Sequence, residues 1–157
     1  MLLAIDVGNT NIVLGVFDQT TLVRSWRLLT LRERTADEVG LMVVGLFGHD
    51  RIELSRIDAA VMASVVPPLT PIMRSMVKRY FNREPLVVDA TSNAGMPILY
   101  ERPAEVGADR IANAIAAYDQ YGKRLGLPLI VPETRLFEAM EPDITLHGLR
   151  IVWERNR

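Results

Sequence analysis

Leu2-Leu3-Ala4-Ile5-Asp6-Val7-Gly8-Asn9-Thr10-Asn11-Ile12-Val13-Leu14-Gly15-Val16-Phe17 opens the chain with two apolar runs around a short polar stretch. The first run reads as a buried strand entering a tight turn, and Ile12 to Phe17 resumes as a second strand. Together they form a β-hairpin with a polar, glycine-containing tip. Asp18-Gln19-Thr20-Thr21 is a second turn signal, after which Leu22 to Leu29 alternates as a third antiparallel strand. Further out, Thr35-Ala36-Asp37-Glu38 offers an N-cap with acids in the first turn, and Val39, Met42, Val43, Leu46 and Phe47 follow at helical spacing. Ile57 to Ser64 is a β-rich run stopped by Pro67-Pro68. Leu69 to Phe81 returns to helical period with Lys78 and Arg79 near its end, and Pro85 to Asp89 reads as a strand. After a loop around Ser92 to Met96, Pro103 to Tyr121 predicts a long helix stopping at Gly122, with Ile111, Ala114, Ile115 and Tyr118 on one face. The order βββαβαβ followed by a helix is that of a mixed α/β domain built on a hairpin meander.

Beyond Arg124 the pattern weakens. Leu127 to Val131 suits one more strand, but Pro132, Pro142 and Gly148 interrupt the sequel. A short helix over Thr134 to Met140 and a short strand over Leu149 to Trp153 are expected there.

Composition narrows the chemistry. With 18 basic and 19 acidic residues in 157 and a net charge of −1, the chain lacks the basic footprint of a nucleic-acid binder or a polybasic membrane-surface protein. It has no cysteine, which excludes disulfides, thiolate metal sites and thiol nucleophiles, and only His49 and His147 could supply imidazole ligands. The opening apolar run has no basic flank and meets Asp6 at once, and no apolar run approaches a membrane span, so a cytoplasmic protein acting on small molecules is expected.

Two segments could carry chemistry. At the hairpin tip, the backbone amides and the Thr10 and Asn11 side chains could face a phosphate while Gly8 permits close approach. Asn and Gly also suit an ordinary hairpin turn at positive φ. Asp6, at the end of an apolar strand, must be hydrated, paired or metal-bound, and a magnesium shell over ATP phosphates is one natural use. Near the start of the long helix, Gly107-Ala108-Asp109-Arg110 could supply Asp109 as a general base toward an alcohol, with Arg110 steadying an anionic group. The alternative is an acid favoured at a helix N-terminus beside a solvated arginine. Phosphoryl transfer to an alcohol needs both a phosphate cradle and a base, so the two segments support one another. Ser64 has no glycine elbow or histidine partner and reads as a strand-end turn. His49 beside Asp50 reads as a surface helix end, Met73 and Met76 as helical core, and Trp26 and Arg27 as packing and surface.

Asp6-Val7-Gly8-Asn9-Thr10-Asn11, Ala63-Ser64-Val65-Val66-Pro67 and Tyr100 to Arg110, ending in Gly107-Ala108-Asp109-Arg110, resemble the type III pantothenate kinases in identity, order and spacing over about residues 1–123. That family belongs to the acetate and sugar kinase, actin and chaperone-ATPase superfamily, with two ribonuclease H-like domains and a cleft between them. The resemblance implies an α/β ribonuclease H-like domain over 1–102 and an incomplete second domain over 103–157, made of the helix 103–121 and an atypical tail. It further implies that Asp6, Val7, Gly8, Asn9, Thr10, Asn11, Ile12 and Val13 form the ATP phosphate-binding hairpin, with Asp6 near the metal. Tyr100, Gly107, Ala108, Asp109 and Arg110 would contact pantothenate, with Asp109 accepting the proton of its primary hydroxyl. Family members are homodimers that use ATP with magnesium and a monovalent cation, potassium or ammonium, and begin coenzyme A biosynthesis by making 4′-phosphopantothenate.

After Gly122-Lys123 the family continues with a strand ending in an Asp-Phe-Gly-Thr motif that supplies the monovalent-cation site, followed by a second domain. Residues 124–157 lack that motif. Two readings follow: a pantothenate kinase with Asp109 as base, or a catalytically incomplete half-kinase that acts as a binding or assembly module. Surface that a second domain would cover favours an oligomer.

Overall fold

The computed structural model of the chain describes residues 1–89, 106–122 and 141–157. Strands β1 (Leu2–Val7), β2 (Asn11–Asp18) and β3 (Thr21–Leu29) form an antiparallel meander. Helix α1 (Ala36–His49) follows, then β4 (Ala59–Ser64), α2 (Leu69–Phe81) and the short β5 (Leu86–Val87). β4 lies parallel to β1, and β5 parallel to β4, so the five strands stand in the order β3-β2-β1-β4-β5. This is the mixed α/β arrangement expected from the opening hairpin. Two further α-helices, α3 (Ala108–Ala117) and α4 (Ile144–Arg155), stand among the described residues.

Alternation along the central strands decides which helix goes where. Leu3, Ile5 and Val7 of β1 join Ile12, Leu14 and Val16 of β2 in a core with α1 and α2. Leu2 and Ala4 of β1, Phe17 of β2, and Val61 and Ala63 of β4 face α3 and α4 instead. Both faces of the central strands are therefore apolar, which is why β1 reads as a continuous hydrophobic run. Asp6 has the parity of Leu2 and Ala4, so its side chain belongs to the α3–α4 face.

Local chemistry sets the helix ends. Thr35 caps α1 in a reciprocal box: its hydroxyl accepts from the Glu38 N–H, and the Glu38 carboxylate accepts from the Thr35 N–H at 2.7 Å. Helix α2 covers Leu69–Phe81, the range its periodicity predicts, and ends on Asn82 in a left-handed conformation (φ 53°). Met73 and Met76 are fully buried, as their helical positions imply. Trp26 packs on Phe47 and donates to Asp50 at 2.7 Å, and Arg27 and His49 are exposed.

The carboxy-terminal part corrects several expectations. Leu149 to Trp153 is helical, part of α4, and not a strand. A five-residue apolar run carries no period of its own, and Gly148 reads as a break when the sequence is taken alone. In the fold Gly148 is the point of closest approach between helices, since a Cβ there would fall on the backbone carbonyl of Ala112 in α3. A buried hydrogen bond from Thr145 Oγ1 to Asn113 Oδ1 (2.6 Å) ties the same two helices. The long helix starts later than expected, since Val106 and the N-cap Gly107 precede it unwound; it reaches the expected stop at Gly122, with α3 proper ending at Ala117 and the last turn, Tyr118–Gly122, π-helical. β5 pairs only at Leu86 and Val87 rather than over Pro85 to Asp89. The helix expected over 134–140 and the strand over 127–131 lie outside the described residues, as does the start of the long helix before residue 106.

α4 also carries a titratable contact. His147 stacks edge-on against Phe17 (ring centroids 5.2 Å), and Arg150 lies over the same ring. Burial, and then the charge of Arg150, hold the His147 imidazole below its ordinary 6.5, with Asp143 and Glu141 opposing. The unfolded chain therefore takes up this proton first. The contribution to stability is complete above pH 6.5 and is lost as pH falls through the lower folded value. Thermal melting followed from about pH 8 to about pH 5 should show a falling midpoint, with a shallower fall in His147→Gln.

Candidate active site

The hairpin tip and the start of α3 meet the sheet at the same end. β1 and β4 run parallel, so Asp6-Val7 and Ala63-Ser64 both lie at carboxyl ends of strands, where open α/β sheets place their ligands. The Val65 N–H donates to the Val7 carbonyl at 3.0 Å and extends that pairing past β4. Val65 in turn packs against the start of α3, its Cγ1 being 3.4 Å from where a Cβ on Gly107 would stand. β1, the turn after β4 and Gly107–Arg110 are thus consecutive contacts at one end of the sheet.

At the tip, the Gly8 N–H donates to the Asn11 carbonyl at 3.0 Å, leaving Asn9 and Thr10 exposed at the apex. The backbone is not that of the alternative, an ordinary hairpin turn at positive φ. Neither Gly8 nor Asn9 has positive φ, so the tip is not an Asn-Gly type of turn, and Gly8 is needed for room: a Cβ would lie 3.0 Å from the Asn11 oxygen. Of the expected phosphate-binding stretch, Val7 and Ile12 are fully buried core residues and Val13 is half-buried on the opposite face. Of Val7 and Ile12 only the backbone could meet a ligand, whereas Val13 stands opposite Asp6 in the β1–β2 register. Asp6, Gly8 and Asn11 are half-buried beside the apex.

Gly107 is the N-cap of α3, with Asp109 in the first turn and Arg110 exposed. An added Cβ on Gly107 would overlap Asp109 Oδ1, so the absence of a side chain at 107 is what lets the Asp109 carboxylate fold back over the helix start. A carboxylate there sits in the favourable field of the helix N-terminus. Ala108 is buried against the sheet, which fixes the rotation of the helix and leaves Asp109 and Arg110 facing outward. Tyr100 lies outside the described residues.

Ser64 closes the turn between β4 and α2, in keeping with a strand-end turn. Its Oγ accepts from the Val66 N–H at 3.3 Å and from Thr70 Oγ1 at 3.0 Å. One residue of the tip escaped sequence reasoning. Thr30, just beyond β3, donates from its hydroxyl to the Gly8 carbonyl at 2.8 Å and from its N–H to the Thr10 carbonyl at 2.9 Å. Nothing local to Thr30 signals this, because the contact arises from the β2–β3 register.

A carboxylate beside a tip with exposed amides and no Cβ at Gly8 fits a magnesium–nucleotide phosphate group in donor chemistry. Among the described residues no three His, Asp or Glu side chains cluster as a metal site, so such an ion would rely on ligand oxygens and water besides Asp6. Nor is any helix among them long and apolar enough to cross a membrane.

Sequence comparison agrees with the motifs. The profile of the type III pantothenate kinase family matches residues 2–131, reaching past the Lys123 at which the motif resemblance stops. A type III pantothenate kinase of Pelobacter propionicus is 50% identical over 121 residues, covering 77% of this chain and 48% of that protein. One from Anaeromyxobacter sp. (strain K) is 53% identical over the same length and the same shares. The chain therefore spans about half the length of the curated relatives it matches. The crystal structure of an inorganic polyphosphate/ATP-glucomannokinase from Arthrobacter sp. strain KM resembles it loosely, at 19% identity and a TM-score of 0.40 over 60% of this chain and 46% of that one. With the profile covering most of its residues and the motifs of tip and helix start in register, the chain belongs to the type III pantothenate kinase family.

Proposed function

We propose that this chain carries the phosphate-binding hairpin and the alcohol-activating helix start of a kinase that transfers the γ-phosphoryl group of ATP to the primary hydroxyl of pantothenate. The product would be 4′-phosphopantothenate, the first step of coenzyme A biosynthesis. The observation that supports it best is the chain of contacts Val7–Val65–Gly107, which brings the hairpin and Asp109 to one end of the sheet. The tip amides and Thr10 would hold the phosphates, with Asp6 oriented toward their magnesium ion. Asp109 would accept the hydroxyl proton of pantothenate, and Arg110, with Tyr100, Gly107 and Ala108, would hold the acid. Magnesium bound with ATP supplies neutralisation of charge on the bridging and transferring phosphate oxygens. Little covalent chemistry is then left to the protein, whose work is positioning and proton acceptance. Use of potassium or ammonium, homodimer formation and a cytoplasmic location belong to the same reading.

A second reading, a half-kinase that binds or assembles without turnover, is favoured by the lack of an Asp-Phe-Gly-Thr motif in residues 124–157. ADP release from magnesium–ATP, with and without pantothenate and with potassium or ammonium present, separates the two. Pantothenate-dependent release is expected of the kinase. A folded chain that binds ATP and releases no ADP supports the binding module instead.

A further inference from the structure

We propose that Thr30 is a positioning residue for the phosphate-binding tip, aiming its amides by holding its carbonyls. The inference rests on the phosphate reading of the hairpin. Thr30 makes two bonds across the tip, from its hydroxyl to the Gly8 carbonyl (2.8 Å) and from its N–H to the Thr10 carbonyl (2.9 Å). In a planar trans peptide the N–H points opposite to the C=O. With the Gly8 carbonyl drawn toward Thr30, the Asn9 N–H is turned away from β3. Because the strands stand in the order β3-β2-β1-β4, that direction leads toward the β1–β4 side, on which Val65 and Gly107 lie. A tip without this brace would leave the Gly8–Asn9 peptide free to rotate, and a carbonyl turned toward a phosphate repels it where an N–H attracts it. The brace also accounts for how Asn9 and Thr10 stay at an exposed apex without the left-handed backbone that stiffens shorter turns.

Thr30→Val keeps the side-chain shape and the N–H and removes only the hydroxyl, while Thr30→Ser returns it. Magnesium–ADP is the probe, followed by calorimetry and by the amide NMR signals of Asn9 and Thr10 in the 157-residue chain. Thr30→Val should weaken ADP about tenfold, the size of one hydrogen bond, move both amide signals in the free protein and leave the melting temperature nearly unchanged. Thr30→Ser should recover most of the affinity. ADP binding to Thr30→Val as tight as to the unsubstituted chain overturns the role of Thr30 alone. So does weakening that tracks a fall in melting temperature with the tip signals unmoved, or that Ser does not reverse. If the unsubstituted chain shows no tip shift with ADP, the phosphate reading itself fails and the inference falls with it.

Discussion

Asp109→Asn is expected to lower pantothenate-dependent ADP release by about 10²- to 10⁴-fold, the range that a positioned general base supplies. The substitution keeps size and hydrogen-bonding shape, so its effect isolates the charge and the proton-accepting lone pair. Asp109 sits in the first turn of α3 with its carboxylate folded over Gly107, and Ala108 beside it is anchored in the core. The backbone around it should therefore not move. Affinity for magnesium–ATP, measured by calorimetry, should stay within about twofold, because the tip belongs to the β1–β2 hairpin and Asp109 to α3. A rate within about threefold of the unsubstituted chain would remove Asp109 from the base role and return it to helix N-terminal electrostatics.

The second large effect concerns stability. Gly148→Ala should destabilise the chain by about 3 kcal/mol, because the added carbon falls on backbone of Ala112 that has no rotamer with which to yield. For a chain of this size that corresponds to a melting shift of roughly 10 °C. Helix α4 would have to rise from α3, loosening Leu149 and Val152 from the face they share with Ala4 and Ala63 and straining the Thr145–Asn113 hydrogen bond. Gly45→Ala provides the contrast. Gly45 lies in the exposed middle of α1, where a Cβ would meet nothing within 4 Å, so alanine should stabilise by about 0.5–1 kcal/mol through helix propensity. Equal small effects at the two positions would contradict the close crossing of α3 and α4.

Both predictions depend on parts of the molecule that were unequally legible. Asp109 stands out in the sequence because an acid and an arginine follow Gly107-Ala108 near a predicted helix start. The reason for Gly107 does not: it is the space that the Asp109 carboxylate fills. At the hairpin, Asp6 and the Gly8-Asn9-Thr10 tip could be read directly, but the sequence left an ordinary turn at positive φ open as the alternative, and only the structure excludes it. Thr30 was invisible, since a threonine after a strand has no local signature.

What the sequence by itself determined is the set of elements whose signals are local and strong. The three-stranded opening, the capped helix after Thr35 and the helix over Leu69–Phe81 follow from alternation, capping chemistry and helical period, which act between neighbours along the chain. Tertiary structure alone decided α4 and the assembly of the site. Leu149 to Trp153 is apolar in a way that suits strand or helix, and only the surface offered by α3, with Ala112 against Gly148 and Asn113 against Thr145, selects the helix. The meeting of Val7, Val65 and Gly107 likewise depends on parallel pairing between strands more than 50 residues apart, Leu2 opposite Ala59. Contacts of that range leave no period in the sequence, because the energy that fixes them comes from burying two faces of one sheet at once.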